Sequence, residues 1–182
     1  MKKEFLNALK NIRDSKNYIY GGIIFFIITT LIGYFFPIFF TEEIKELLKN
    51  LVLSFENLNT LQIILKIFLN NSLVSFSIIL LGLLLGLFPL FAIIQNGYIL
   101  GFVIKNVILK EGFIVLWRLL PHGIFELPAI FISMGLGIRL GWKVIQRDNP
   151  WKFLKDSLET FFLVIIPLLV LAAIIEGLLI GL

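Results

Sequence analysis

The chain has 182 residues, of which 59% are hydrophobic and 15% charged, with 19 phenylalanines, no cysteine and a formal net charge of +4. Soluble domains carry about a quarter charged residues, so this composition excludes an ordinary soluble fold and points to one integral membrane domain, 1–182. The missing cysteines exclude disulfides and thiolate chemistry. The basic residues gather at the ends of apolar stretches, where membrane orientation rather than nucleic-acid binding accounts for them.

Residues 1–17 predict a short amphipathic helix. Phe5, Leu6, Leu9 and Ile12 share one face, and Lys2, Lys3, Lys10, Arg13 and Lys16 are polar. Such a segment lies on an anionic membrane surface; a solvated basic tail is the alternative. The stretch does not read as a cleavable signal, because its charged part is long and no small-residue cleavage site follows.

The first span is expected at 18–40, with Pro37 near its far end, where a break costs little. Thr41 is a candidate N-cap with Glu42 and Glu43 in the first turn. The periodic apolar residues after it predict an amphipathic helix along the interface over 42–69. Residues 72–109 suit two spans, 72–88 and 89–109, broken at Phe88–Pro89 with Pro89 at a helix start. A rival reading turns the chain at Gln95–Gly97. The fourth span is expected at 120–142. Asp148, Asn149 and Pro150 form a helix-start signature, and the fifth span follows at 158–180. The fold class is thus all-α and polytopic, with five transmembrane helices plus interfacial amphipathic helices. The balance of Lys and Arg puts the N-terminus in the cytoplasm and the C-terminus outside a cell membrane.

Charged groups inside a membrane are costly and mark function. On these boundaries Asn71, His122, Glu126 and Glu176 fall in the outer third of the membrane, with Asn96 deeper. His122, the only histidine, and Glu126 are four residues apart and so share a helix face. Pro121 fits a helix start that aims nearby N–H groups at a ligand. Pro128 should kink its helix and free the carbonyl of Ile124. The pairs Gly82/Gly86, Gly97/Gly101 and Gly137/Gly141 are small residues spaced by four, which favours a tight bundle or a homodimer face.

Three chemistries remain open for this set. His122, Glu126 and Glu176 could hold a divalent metal ion such as zinc or manganese, with an open position that would suit an intramembrane hydrolase. His and Glu could instead relay protons or bind a transported ion, with Asn71 and Asn96 in support. Or His122 and Glu126 could simply stitch helices together in a non-catalytic scaffold. Nucleophilic catalysis has no support, since no serine stands in GxSxG, and serines on membrane helices usually bond their own backbone.

The stretch LLPHGIFELPAIFISMGLGIRLG closely resembles the central motif of the stage II sporulation protein M family. NN at Asn70–Asn71, QNGYILG from Gln95 to Gly101 and IIEG at Ile174–Gly177 occur in the expected order, and the resemblance covers about 61–182. It implies a five-span α-helical membrane protein in which Asn71, Asn96, Gly97, His122, Glu126 and Glu176 are motif residues. In spore-forming bacteria, members act with partner proteins in cell-wall remodelling. The family extends to organisms that make no spores, so the resemblance brings no settled activity. The expected function is ion or small-solute binding or transport. Membrane lipids, a second copy of the chain and envelope proteins are the expected partners.

Overall fold

A computed structural model describes residues 2–112 and 116–181; the side chains of residues 110, 111, 116–122 and 181 lie outside that description. The elements are α1 (Lys2–Asp14), α2 (Lys16–Phe35), α3 (Thr41–Leu53), α4 (Thr60–Leu80), α5 (Leu87–Glu111), α6 (Leu116–Gln146), α7 (Pro150–Thr160) and α8 (Ile166–Gly181). Among the described residues there is no strand. Five segments are long and apolar enough to cross a membrane: Lys16–Phe35, Thr60–Leu83, Leu87–Leu109, Gly123–Ile145 and Pro150–Ile180.

Close contacts between helices fix the direction of every crossing. Gly22 meets Ile93, and Gly101 meets Thr30 and Tyr34, so α2 and α5 run parallel. Gly137 meets Ile78, and Gly141 meets Gly86, so α4 and α6 run parallel. Phe26 meets Phe131 edge to face while Gly135 meets Ile19, making α2 antiparallel to α6. Gly177 meets Ile64 and Phe76 meets Phe161, making α4 antiparallel to α8. These directions are what five successive crossings require. They put α1 and α7 at one end of the bundle and α3 at the other.

α6 is the central helix, packed against α2, α4, α5, α7 and α8. Lipid tails are as apolar as leucine, so close backbone approach rather than hydrophobic burial holds such helices together. The glycines supply that approach. All six of Gly82, Gly86, Gly97, Gly101, Gly137 and Gly141 sit at crossings within the chain, where an added Cβ would meet the backbone or side chain of a neighbouring helix. Their motifs are therefore taken up inside one copy. Ile24, Phe25, Ile27, Ile28 and Leu31 of α2 are exposed and face lipid.

Several boundaries differ from the sequence-based expectation. The second span starts at Thr60 rather than 72, so the interfacial amphipathic helix is only Thr41–Leu53 and does not reach 69. The cause is a reciprocal cap: Asn59 Oδ1 accepts from the Gln62 N–H at 3.0 Å, and Gln62 Oε1 accepts from the Asn59 N–H at 2.9 Å. Lys66 is tolerated in this span because its ammonium reaches back to the Ser54 carbonyl and the Phe55 ring. The chain turns at Leu84–Gly86, not at Phe88–Pro89. Gly86 adopts φ 74°, a region glycine enters without penalty. Pro89 then falls in the first turn of α5, where its missing N–H is not needed, and α5 runs straight through Gln95–Gly97.

The first span stops at Phe35, short of 40. Thr41 does not cap α3; its hydroxyl donates to the Pro37 carbonyl at 3.1 Å. α6 starts at Leu116, so Pro121 lies inside the helix rather than at its start, and the helix continues through Pro128. The last apolar segment, Pro150–Ile180, has 31 residues, about 46 Å of helix against about 30 Å of hydrocarbon. Its first part, α7, is an amphipathic helix covered by α1. A π-helical turn at Phe161–Ile165 joins α7 to α8, next to Pro167, which cannot donate to the Leu163 carbonyl.

α1 uses two faces. Ala8, Asn11 and Ser15 are buried against the bundle, and the Asn11 amide donates to Thr160 Oγ1 of α7 at 3.1 Å. Phe5, Leu6 and Leu9 are exposed on the other side, as a helix lying on a membrane surface presents them.

Candidate functional site

The contact between Gly137 and Ile78 gives a common ruler for α4 and α6. Counting eleven residues back on both helices brings Glu126 level with Ile67. Ile67 clusters with Ala173 of α8, one turn from Glu176. Glu126 and Glu176 therefore lie within about 5 Å of the same depth at ~1.5 Å per residue, and the Glu126 carboxylate is close enough to feel the charge of Glu176. Both are half-buried, and Glu176 has a further interaction of its own.

The backbone of α6 carries His122 one turn further toward the α3 end, level with Ile63. Its imidazole lies outside the described residues. Among the described residues no three His, Asp or Glu side chains gather as metal ligands. The described members of the expected set are thus the two carboxylates.

Asn71 is not in the outer layer where the sequence reading put it. Because α4 begins at Thr60, Asn71 sits seven residues before Ile78 and comes level with Ile130 of α6. Asn96 stands seven residues beyond Pro89, which also touches Gly137, and comes level with Ile130 too. The asparagines of α4 and α5 form one layer about 6 Å beneath Glu126. Asn71 lies on the α4 face that carries Ile64, Ile67 and Ile78. Asn96 donates to the Ala92 carbonyl at 2.8 Å. It is exposed although Ala92, one turn below on the same face, is 6% exposed. The inner face of α5 is sealed at Ala92 and open at Asn96.

Ser75, one turn below Asn71, is fully buried, and neither it nor Ser72 finds a hydrogen-bond partner for its hydroxyl among the described residues. Ser133 and Ser157 behave as the sequence reading expected, donating to the carbonyls of Ala129 and Phe153 at 2.8 Å. Ser72 and Ser75 depart from that pattern, and no local spacing signals it. Below Ser75 the crossing of Gly82, Gly137, Ile78 and Pro89 closes the bundle. The polar groups thus descend in order from the α3 end: Glu126 and Glu176, then Asn71 and Asn96, then Ser75, then a tight seal. Pro128 lies on an exposed part of α6 between the first two layers.

At the α3 end Tyr98 ties α5 to the link between α2 and α3. Its hydroxyl accepts from the Phe39 N–H at 2.9 Å and lies 3.1 Å from the carbonyls of Phe36 and Phe39. Tyr98 stands within the QNGYILG motif, but nothing in the spacing of that motif points to this anchor.

Comparison with known proteins found no curated protein and no solved structure that matches. The sequence profile of stage II sporulation protein M matches residues 22–179, nearly the whole chain. All four motifs quoted above fall within that range, and so does every polar group of the layered arrangement. The chain is a multi-pass α-helical membrane protein that belongs to the stage II sporulation protein M family.

Proposed function

We propose that the protein binds a cation between Glu126 and Glu176 and serves as an ion or small-solute binding or transport protein of the cell membrane. The observation that carries this reading is the proximity of two carboxylates from different spans at the same depth. Like charges in a low-dielectric setting repel strongly, and a cation or proton placed between them relieves the repulsion. His122 would be the third ligand or the proton carrier, and Asn71 and Asn96 would receive a dehydrated ion one layer further in.

The seal at Gly82 and Gly137 supports entry from the α3 end. We assign that end to the outside, because the α1–α7 end carries ten of the sixteen Lys and Arg residues. The reading works with one copy of the chain.

Elemental analysis of the purified protein, with cation flux into proteoliposomes, tests it. Zinc, manganese or sodium should bind or cross in the wild type, and His122→Ala and Glu126→Gln should abolish this. Stoichiometric metal without flux would favour a metal-dependent hydrolase. Neither metal nor flux, with both variants folded, would leave a scaffold that recruits envelope proteins.

A further inference from the structure

The opposite end of the bundle holds a second polar feature, unconnected with the carboxylate pair. A cavity of about 500 Å³ lies between α1, α6 and α7. Arg139 lines it, fixed on two sides: its Nη1 donates to the buried Ser15 hydroxyl at 2.9 Å, and its guanidinium lies 4.8 Å from the Phe153 ring centre. Among the described residues no carboxylate pairs with it. Lys10 and Lys152 add positive charge.

Asp156 and Glu159 line the same cavity, half-buried and without an ion pair among the described residues. Asp156 lies on the α7 face between Phe153, which seats Arg139, and Thr160, which seats Asn11. The other charges are accounted for: Lys143 pairs with Asp148, and Asp14 neighbours Arg13. A fixed guanidinium and two carboxylates thus border one space without closing on each other. Opposite charges held apart around a cavity suit a ligand that carries both signs.

The depth of the cavity points to the source of that ligand. Trp142 and Trp151 are 47% and 71% exposed at this end, as residues at headgroup level are. The exposed Phe5, Leu6 and Leu9 of α1 lie at the same end. We propose that this cavity binds the headgroup of a zwitterionic phospholipid. The phosphate would take the free N–H groups of Arg139, with Lys10 and Lys152 nearby, and a primary ammonium would sit at Asp156 and Glu159. Arginine favours phosphate because its planar fork matches the oxygens.

Native mass spectrometry of the detergent-purified protein tests this, with added phosphatidylethanolamine, phosphatidylcholine or phosphatidylglycerol, and soluble phosphoethanolamine as a separate arm. Phosphatidylethanolamine should be retained best. Phosphatidylcholine, whose quaternary ammonium donates no hydrogen bond, should bind more weakly. Arg139→Gln and Asp156→Asn should each weaken retention about tenfold, the change expected for one charge-assisted hydrogen bond. Arg139→Lys should fall between, and Lys155→Gln on the exposed side of α7 should change nothing. Helix content and thermal midpoint confirm that each variant is folded. Phosphoethanolamine bound with the same variant dependence would support the headgroup chemistry and assign a soluble source. Phosphatidylglycerol retained as well as phosphatidylethanolamine, with Asp156→Asn without effect, would overturn the proposal. So would equal retention by wild type and Arg139→Gln.

Discussion

Gly137 of α6 packs on the carbonyl of Ile78 so closely that a Cβ at position 137 would lie 2.5 Å from that oxygen. This crossing sets the register of α4 against α6 and closes the bundle beneath the polar layers. Gly137→Ala should therefore destabilise the protein by about 1–3 kcal/mol, the usual range for overpacking. The thermal midpoint in detergent should fall by several degrees, at ~2–4 °C per kcal/mol for a chain of this size. Gly21, whose added Cβ meets nothing within 4 Å, is the control: Gly21→Ala should leave the midpoint unchanged or raise it slightly.

The Glu126–Glu176 relationship predicts opposite effects of one substitution with and without a cation. Glu126→Gln keeps the shape but removes one of two neighbouring negative charges. In chelator-treated protein it should raise the thermal midpoint, because a repulsion is gone. Adding a bound cation at a hundred times its dissociation constant should stabilise the wild type by about 2.7 kcal/mol and leave the variant unmoved. A wild type and variant that respond alike to every cation tried would remove the carboxylate pair as a binding site.

The fold class was open to the sequence because lipid exposure imposes long apolar stretches, and these survive any error in their ends. The boundaries were harder for a definite reason. Asn70 and Asn71 look like a break when polarity is read locally, yet α4 passes through them because the Asn59–Gln62 cap had already started it. The misplaced boundary moved Asn71 up by about half a span and put it in the layer of the glutamates. Glu126 and Glu176 fall at one end of the bundle because each lies near a span end that shifted by only a few residues. Arg139 read as an orientation signal. Its role beside Ser15 and Phe153 depends on three segments far apart in sequence, which no local pattern reports.

Tyr98 predicts a local loss of order rather than a global one. Its hydroxyl holds the link between α2 and α3 through the Phe36 and Phe39 backbone. Tyr98→Phe keeps the ring near Phe39 and removes only those bonds. At about 0.5–1.5 kcal/mol for each net hydrogen bond, the thermal midpoint should shift little. Amide hydrogen exchange at Phe39 and through α3 should speed up several-fold, while α5 and α6 keep their protection. Uniform loss of protection across the bundle would mean that the hydroxyl has a wider structural role.

Ser75 separates a dry bundle from a wet one. Its hydroxyl is fully buried and unpartnered among the described residues, one turn below the Asn71–Asn96 layer. A buried hydroxyl without a partner costs about 1–3 kcal/mol, and alanine removes it at almost constant shape. Ser75→Ala should therefore raise the thermal midpoint if the space beneath the asparagines is dry. Ser133→Ala, which removes a bonded hydroxyl from the same depth of α6, should lower it slightly. We expect this pair of opposite signs, because Ser75 is fully buried level with Ala92, where the inner face of α5 is sealed. A fall in stability for both variants, with weaker cation binding by Ser75→Ala, would mean instead that water or the ion reaches one turn deeper than the asparagines.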